Sequence, residues 1–313
     1  MHHDLSLVVN ITMALLAAFV GGYIARRIGM PTLVGYLLGG LAIGPFTPGF
    51  VGDIASVSQL AEMGVIFMLF GVGLHFSLKD LWAVRKVAIP GAVLQIILAT
   101  AIGYGLTQLW GWTTEASLVV GLAISVASTV VLLRGLVDNG LLNTVHGQTA
   151  VGWLILEDLA TVIILVLLPV MFGSSHANPW LDAGWTIAKT GIFVAAMLFV
   201  GKKVMPWILV RTAYTRSREL FILAVITLAL GTALGAAYFF DVSLALGAFL
   251  AGVVIGESDV SHQVGAEVLP FREIFAAIFF VSVGMLVNPA AVVANAGQVL
   301  ALTAVIVLGK GML

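Results

Sequence analysis

Predominantly apolar runs of close to twenty residues recur along this 313-residue chain, the first from Leu5 to Ile24. A helix of about 20 residues crosses the roughly 30 Å hydrocarbon layer of a bilayer. Inside that layer the backbone must satisfy its own hydrogen bonds, so such runs fold as helices packed into a bundle. A large water-soluble core is the alternative, and it fails on charge. Only 9% of the residues are charged and 61% are hydrophobic, against about 25% charged in an ordinary soluble domain. The expected fold class is an all-α polytopic membrane protein.

About eleven spans can be laid out, near 5–24, 31–46, 57–76, 88–110, 116–137, 148–171, 184–210, 219–240, 243–257, 272–288 and 297–313. The lysines and arginines set their direction. Arg26, Arg27, Lys79, Arg85, Lys86, Arg134, Lys202, Lys203, Arg211, Arg216, Arg218 and Arg272 fall in alternate connections, and loops 47–56, 111–115, 173–183 and 289–296 contain no Lys or Arg. This places the N-terminus outside. Only Met-His-His-Asp precedes the first run, so that run reads as a retained span and not a cleaved leader. With no cysteine in the sequence, disulfide and thiolate metal chemistry are excluded. A net charge of −1 offers no electrostatic footprint for a nucleic acid.

A repeat organises the spans. "VGYLLGGLAIGP" (34–45) matches "LGAFLAGVVIGE" (246–257) at an offset of 212, and "LFGVGL" (69–74) matches "FVSVGM" (280–285) at 211. By the charge pattern the two copies run in opposite directions, as in transporters whose substrate site lies at the midplane between inverted repeats. Residues 1–171 form the first repeat of six spans, 172–218 a linker span, and 219–313 an incomplete second repeat. The offset places the partners of the fifth and sixth spans beyond Leu313, so the chain is expected to be a fragment of a longer protein.

Chemistry concentrates in "GWLILEDLATVIILVL" (152–167), where Glu157 and Asp158 sit side by side in an apolar run. Intramembrane acids are costly and mark ion or proton pathways. Desolvation and a like-charged neighbour both raise a carboxyl pKa toward the physiological range. Such a group holds either a proton or a desolvated cation, and that competition is the basis of antiport. Adjacent helix positions point about 100° apart, so the two acids have different tasks. Lys310 is the other isolated intramembrane charge, either snorkelling at a span end or functional; as a functional charge it is expected to pair with Glu157, leaving Asp158 free to carry the ion. Ser125, Ser128 and Thr129, in "GLAISVASTVVLLRG" (121–135), can satisfy an unwound helix or ligate a hard cation. Glu62 and Gln95 read as packing or capping residues. Trp110, Trp112, Trp153, Trp180 and Trp185 read mostly as an interfacial aromatic belt. The stretch 256–273 reads as the longest charged inner loop.

The segments "RRIGMPTLVGYLLGGLAIGPFTPGF", "LFGVGLHFSLKDL", "ASTVVLLRGL", "LEDLATV" and "FFVSVGM" resemble Kef-type antiporters of the monovalent cation:proton antiporter-2 family, over essentially the whole chain. The resemblance implies a thirteen-span fold with a dimerisation domain and a core domain holding two crossed, broken helices. It implies that Asp158 binds the ion or proton, that Ser128 and Thr129 match the broken-helix threonine region, and that Lys310 matches an intramembrane basic position. Glutathione-gated Kef proteins carry Gln-Asp where this chain has Glu157-Asp158. Their regulatory loop motif is only partly kept, as Glu257, Ser258 and His262, which argues against glutathione gating.

The function expected is secondary exchange of a monovalent cation, potassium by the resemblance, for protons across a bacterial inner membrane. A sodium/proton antiporter and a ligand-gated potassium channel are the alternatives, and no filter loop of the channel type appears. No enzyme activity and no cofactor are expected, only the transported cation and protons. The expected partners are membrane lipid, a second copy of the chain, and a C-terminal nucleotide-binding regulatory domain.

Overall fold

The computed structural model describes residues 5–48, 52–75, 78–127, 132, 136, 140–141, 144–172 and 179–309, and among these all regular structure is helical. The helices are α1 (Leu5–Arg27), α2 (Thr32–Ile43), α3 (Ile54–His75), α4 (Leu78–Leu109), α5 (Thr114–Ser125) and α6 (Val145–Phe172). Then α7 (Pro179–Ala196) continues through a π-helical turn, Met197–Gly201, into α8 (Lys202–Ala213). They are followed by α9 (Arg218–Phe240), α10 (Leu244–Gly256), α11 (Ser261–Met285), α12 (Pro289–Ala294) and α13 (Ala296–Ala304), the last leading into a second π-helical turn, Val305–Gly309. Among the described residues six helical segments are long and apolar enough to cross a membrane: Leu7–Arg27, Ile54–Leu74, Arg85–Leu109, Ala188–Ala213, Arg218–Phe240 and Ser261–Met285. Four shorter apolar helices accompany them: Thr32–Ile43, Thr114–Ser125, Leu244–Gly256 and Ala296–Leu308.

One expectation needs correcting. The stretch 256–273 is not an extended loop, because α11 begins at Ser261 and runs through Pro270 without ending. A proline inside a helix forfeits one hydrogen bond and costs about 3 kcal/mol. Here packing on both sides offsets it. Val264, Val268, Ile278 and Val281 are all 2% exposed or less. Phe67 of α3 stacks on Phe275 at 5.5 Å and meets Phe271 at 5.9 Å.

The chain divides into two compact units, Met1–His75 with Gly184–Ala294, and Phe76–Ala183 with Asn295–Leu313. In the first, α3 and α11 form the central pair; α2 lies on α11 and α1, while α10 lies on α3 and α9. Without water to squeeze out between them, helices in a membrane associate by close backbone approach at small residues. The carbonyl of Val281 rests against Gly40 and that of Leu37 against Gly284, nearer than a Cβ on either glycine would allow. The arrangement recurs where α10 meets α3, with the Phe70 carbonyl against Gly252 and the Phe249 carbonyl against Gly73. Every side chain of α10 from Ala245 to Ile255 is buried. Polar ties close the ends of this unit: buried Asn10 accepts the Asp53 N–H at 3.0 Å, and Arg218 grips Glu267 through two bonds of 2.8 and 3.0 Å. Glu62 is exposed on α3, so no packing role falls to it.

In the second unit α4 packs on both α5 and α6. Gly91 of α4 lies under the Trp153 ring of α6, and Gly121 of α5 lies against the Thr100 backbone of α4. The α4–α5 connection is readable from sequence. Gly111 takes φ 78°, its N–H donates to Gln108 O at 2.9 Å, and the Trp112 N–H donates to Thr107 O at 3.2 Å. That is the paired-bond helix ending for which glycine is preferred. Thr113 then caps α5 by accepting the Ala116 N–H at 3.3 Å.

Candidate functional site: a helix break braced by buried polar side chains

The centre of the second unit is the place where α5 stops. Its twelve residues span about 18 Å, little more than half the thickness of a hydrocarbon layer. After Ser125 the chain turns extended, with Val126 at φ −80° and ψ 135°. No glycine or proline stands there. A break in apolar surroundings leaves carbonyls without acceptor bonds on one side and N–H groups without partners on the other, each expensive to leave unmade.

Side chains supply the missing partners. The Ser125 hydroxyl donates back to Leu122 O at 2.7 Å. The Ser125 carbonyl accepts from Gln95 Nε2 of α4 at 2.9 Å. Across the break, the Ala127 N–H donates to Glu157 Oε2 of α6 at 2.6 Å. The Gln95 amide is itself held, since its Oε1 accepts from Trp153 Nε1 of α6 at 3.0 Å. Ser125, Glu157 and Gln95 are 0%, 2% and 7% exposed, so these bonds form away from water, where a dipole or charge acts most strongly. Thr161, one turn after Glu157, spends its hydroxyl on the Glu157 carbonyl at 2.8 Å.

The residues singled out from sequence divide accordingly. Glu157 and Ser125 are brought together at the break. Asp158 occupies the next position of α6, about 100° further round the helix, and its side chain lies outside the described residues, as do Ser128, Thr129 and Lys310. Glu257 and His262 belong to the first unit. There Glu257 ends α10 and accepts from Lys202 Nζ at 2.5 Å, and His262 is exposed in the first turn of α11. Two contributors were underrated by sequence. Gln95 is a capping residue for a helix other than its own. Trp153 sits two turns into α6, with its indole N–H committed to Gln95.

Comparison with known proteins gives the family of the chain and its likeness of fold. The profile of the sodium/hydrogen exchanger transmembrane family matches residues 14–313. The chain is 50% identical over 318 residues to the "Putative cation/proton antiporter YbaL" of Escherichia coli (strain K12), covering 100% of this chain and 57% of that protein. It is 54% identical over 276 residues to the "Uncharacterized protein in phaC 3'region" of Methylorubrum extorquens, covering 84% of this chain and 100% of that one. It is also 35% identical over 288 residues to "K(+) efflux antiporter 4" of Arabidopsis thaliana, covering 91% of this chain and 48% of the relative. The chain thus spans about half the length of these two antiporter relatives. Among solved structures, the sodium proton antiporter MjNhaP1 from Methanocaldococcus jannaschii superposes with a TM-score of 0.69 at 18% identity, over 97% of this chain and 76% of that one, a likeness of fold. The chain is a multi-pass membrane protein and belongs to the sodium/hydrogen exchanger transmembrane family.

Proposed function

We propose that this protein exchanges a monovalent cation, potassium, for protons across a bacterial inner membrane, with its N-terminus outside. The observation that carries the reading is the break at Ser125–Ala127, braced by a carboxyl group whose next neighbour along α6 is a second acid. Asp158 is the group that alternates between proton and cation. Glu157 is engaged with the Ala127 N–H and holds the unwound segment in register with α6. Ser128 and Thr129 would complete the ligand set from the residues just after the break. Lys310 balances the charge of the acidic pair; the π-helical turn leading to it, Val305–Gly309, packs against α4. Potassium as the cation is supported by the name of the Arabidopsis relative.

An inverted repeat within a thirteen-span fold is part of the same proposal. It is supported by the glycine contacts of the first unit. Gly40 and Gly252, and Leu37 and Phe249, are related by the offset of 212, while Val281 and Phe70, and Gly284 and Gly73, are related by 211. The two crossings therefore use corresponding residues. A second copy of the chain, a nucleotide-binding domain following it, and regulation near Glu257 and His262 are further elements of the proposal.

The test is proton flux in proteoliposomes holding the full-length protein, driven by gradients of potassium, sodium and lithium in turn. Cation-coupled flux greatest with potassium, and abolished in Asp158→Asn, is the expected result, since an amide cannot cycle a proton. Wild-type flux from Asp158→Asn would overturn the site, and flux driven equally by sodium would overturn the choice of ion.

A further inference from the structure

We propose that Gln95 and Trp153 are positioning residues for the exchange site, acting together as a relay that sets the geometry of the helix break. This rests on the antiport reading and adds two residues to it. The argument begins with donor and acceptor chemistry. An indole N–H only donates, so Trp153 dictates which end of the Gln95 amide is the oxygen. The amide NH₂ is thereby turned to the Ser125 carbonyl, at 2.9 Å. A glutamate at 95 would lack that donor, and an apolar residue would leave both the carbonyl and the indole unmatched.

The bonds also close a ring. From Trp153 it runs to Gln95 on α4, to the Ser125 carbonyl on α5, along the extended backbone to the Ala127 N–H, and back to Glu157 on α6. Trp153 and Glu157 are four residues apart, one turn of the same face. The break is therefore pinned on both sides to α6, once directly and once through α4. A slide or rotation of α6 against α5 would break the ring, so the ring fixes the register of the position after Glu157, which is Asp158. Masking the Ser125 carbonyl has a second effect. The C-terminal end of a helix is electronegative, and an unbonded carbonyl there would compete for the cation.

Ordinary helix-to-helix adhesion predicts something different: lower stability with unaltered cation affinity. The experiment uses full-length protein in proteoliposomes with Gln95→Leu, Trp153→Phe and the double variant. Trp153→Phe deletes the N–H and trims the indole part that lies over Gly91 while leaving Gln95 in place, so it remains informative if Gln95→Leu folds poorly. The potassium concentration for half-maximal proton flux should rise about three- to ten-fold in each single variant, the equivalent of one net hydrogen bond. The maximal rate per folded protein should change less than about two-fold, the signature of lost positioning of the bound state. The double variant should match Gln95→Leu, because Trp153 acts through Gln95. Hydrogen–deuterium exchange of the Ala127 amide should quicken severalfold in both single variants, and this readout needs no transport. Unchanged half-saturation, additive effects in the double variant, or unchanged exchange at Ala127 would overturn the relay. If wild-type protein shows no cation-coupled flux, the antiport reading falls by itself, and the exchange rates still decide whether the ring holds the break.

Discussion

Glu157 and Asp158 are chemically alike and adjacent, yet the structure assigns Glu157 to a backbone N–H, and substitutions should separate the two. Glu157→Gln keeps the shape and an oxygen able to accept the Ala127 N–H. It loses only the strengthening that a charged acceptor gives, about 1 kcal/mol or roughly five-fold. Glu157→Leu removes the acceptor altogether. The Ala127 N–H is then unpaired in a site where Glu157 is 2% exposed and Ser125 wholly buried. A hydrogen bond to a charged group is worth about 1.5–3 kcal/mol, and the orphaned donor adds its own desolvation cost. The population holding the braced break should fall about 30-fold or more. In proteoliposomes, then, Glu157→Gln should keep about a fifth or more of the cation-coupled proton flux, Glu157→Leu less than about a thirtieth, and Asp158→Asn none. A Glu157→Gln variant as inactive as Asp158→Asn would refute the reasoning, because it would mean that Glu157 also has to cycle a proton.

Three further outcomes follow from the geometry. Gly40→Ala and Gly252→Ala, at corresponding crossings where a Cβ would collide with a backbone carbonyl, should each destabilise by about 1–3 kcal/mol; thermal melts showing a marked drop for one and none for the other would contradict the correspondence. Gly105→Ala, with nothing within 4 Å of the new methyl, should instead raise the melting temperature, by about 0.5–1 kcal/mol of helix propensity. Asp53 accepts hydrogen bonds from the hydroxyl and N–H of Ser56 and the N–H of Ala55, which hold its carboxyl below the usual value of 3.8. A depressed pKa contributes stability that is fully present above that value and is lost as pH falls through the folded one. The melting gap between wild type and Asp53→Ala should therefore be constant near neutrality and begin to shrink only below about pH 4; a gap that already shrinks between about pH 7 and pH 5 would count against the cap.

Much of the fold was legible because a bilayer imposes a simple length rule on apolar runs. The runs near 5–24, 57–76 and 219–240 correspond to α1, α3 and α9 with small shifts at their ends. The rule gives way where a helix runs on through a less apolar stretch. Hydropathy falls at "HQVGAEVLPFRE" (262–273), and a proline interrupts it, so the pattern suggests a loop although α11 is already formed there. What sustains α11 through Pro270 is tertiary, with Phe67 and the buried Val264 and Val268 on either side of the kink-prone turn, and no local pattern reports it.

The helix break, to which the resemblance and the serines near 125–129 pointed, carries no local backbone signal for a related reason, and the reason explains how a membrane helix can keep one. A break written in glycine or proline stands by local preference and is visible in sequence. The residues Ile124–Ser125–Val126–Ala127 carry no such signal, and their helix preference is close to neutral. Their extended conformation persists because Gln95 and Glu157, thirty residues to either side, satisfy the two backbone groups that leaving the helix exposes. A break held by such bonds can respond to them. Any shift of α6 that separates Trp153 from Gln95, or Glu157 from the Ala127 N–H, weakens the same ring, whereas a glycine-encoded break would be indifferent to it. A buried amide in α4 and a tryptophan one turn before the acidic pair were thus the readable marks of the site, but only as a set, since each alone looks like packing.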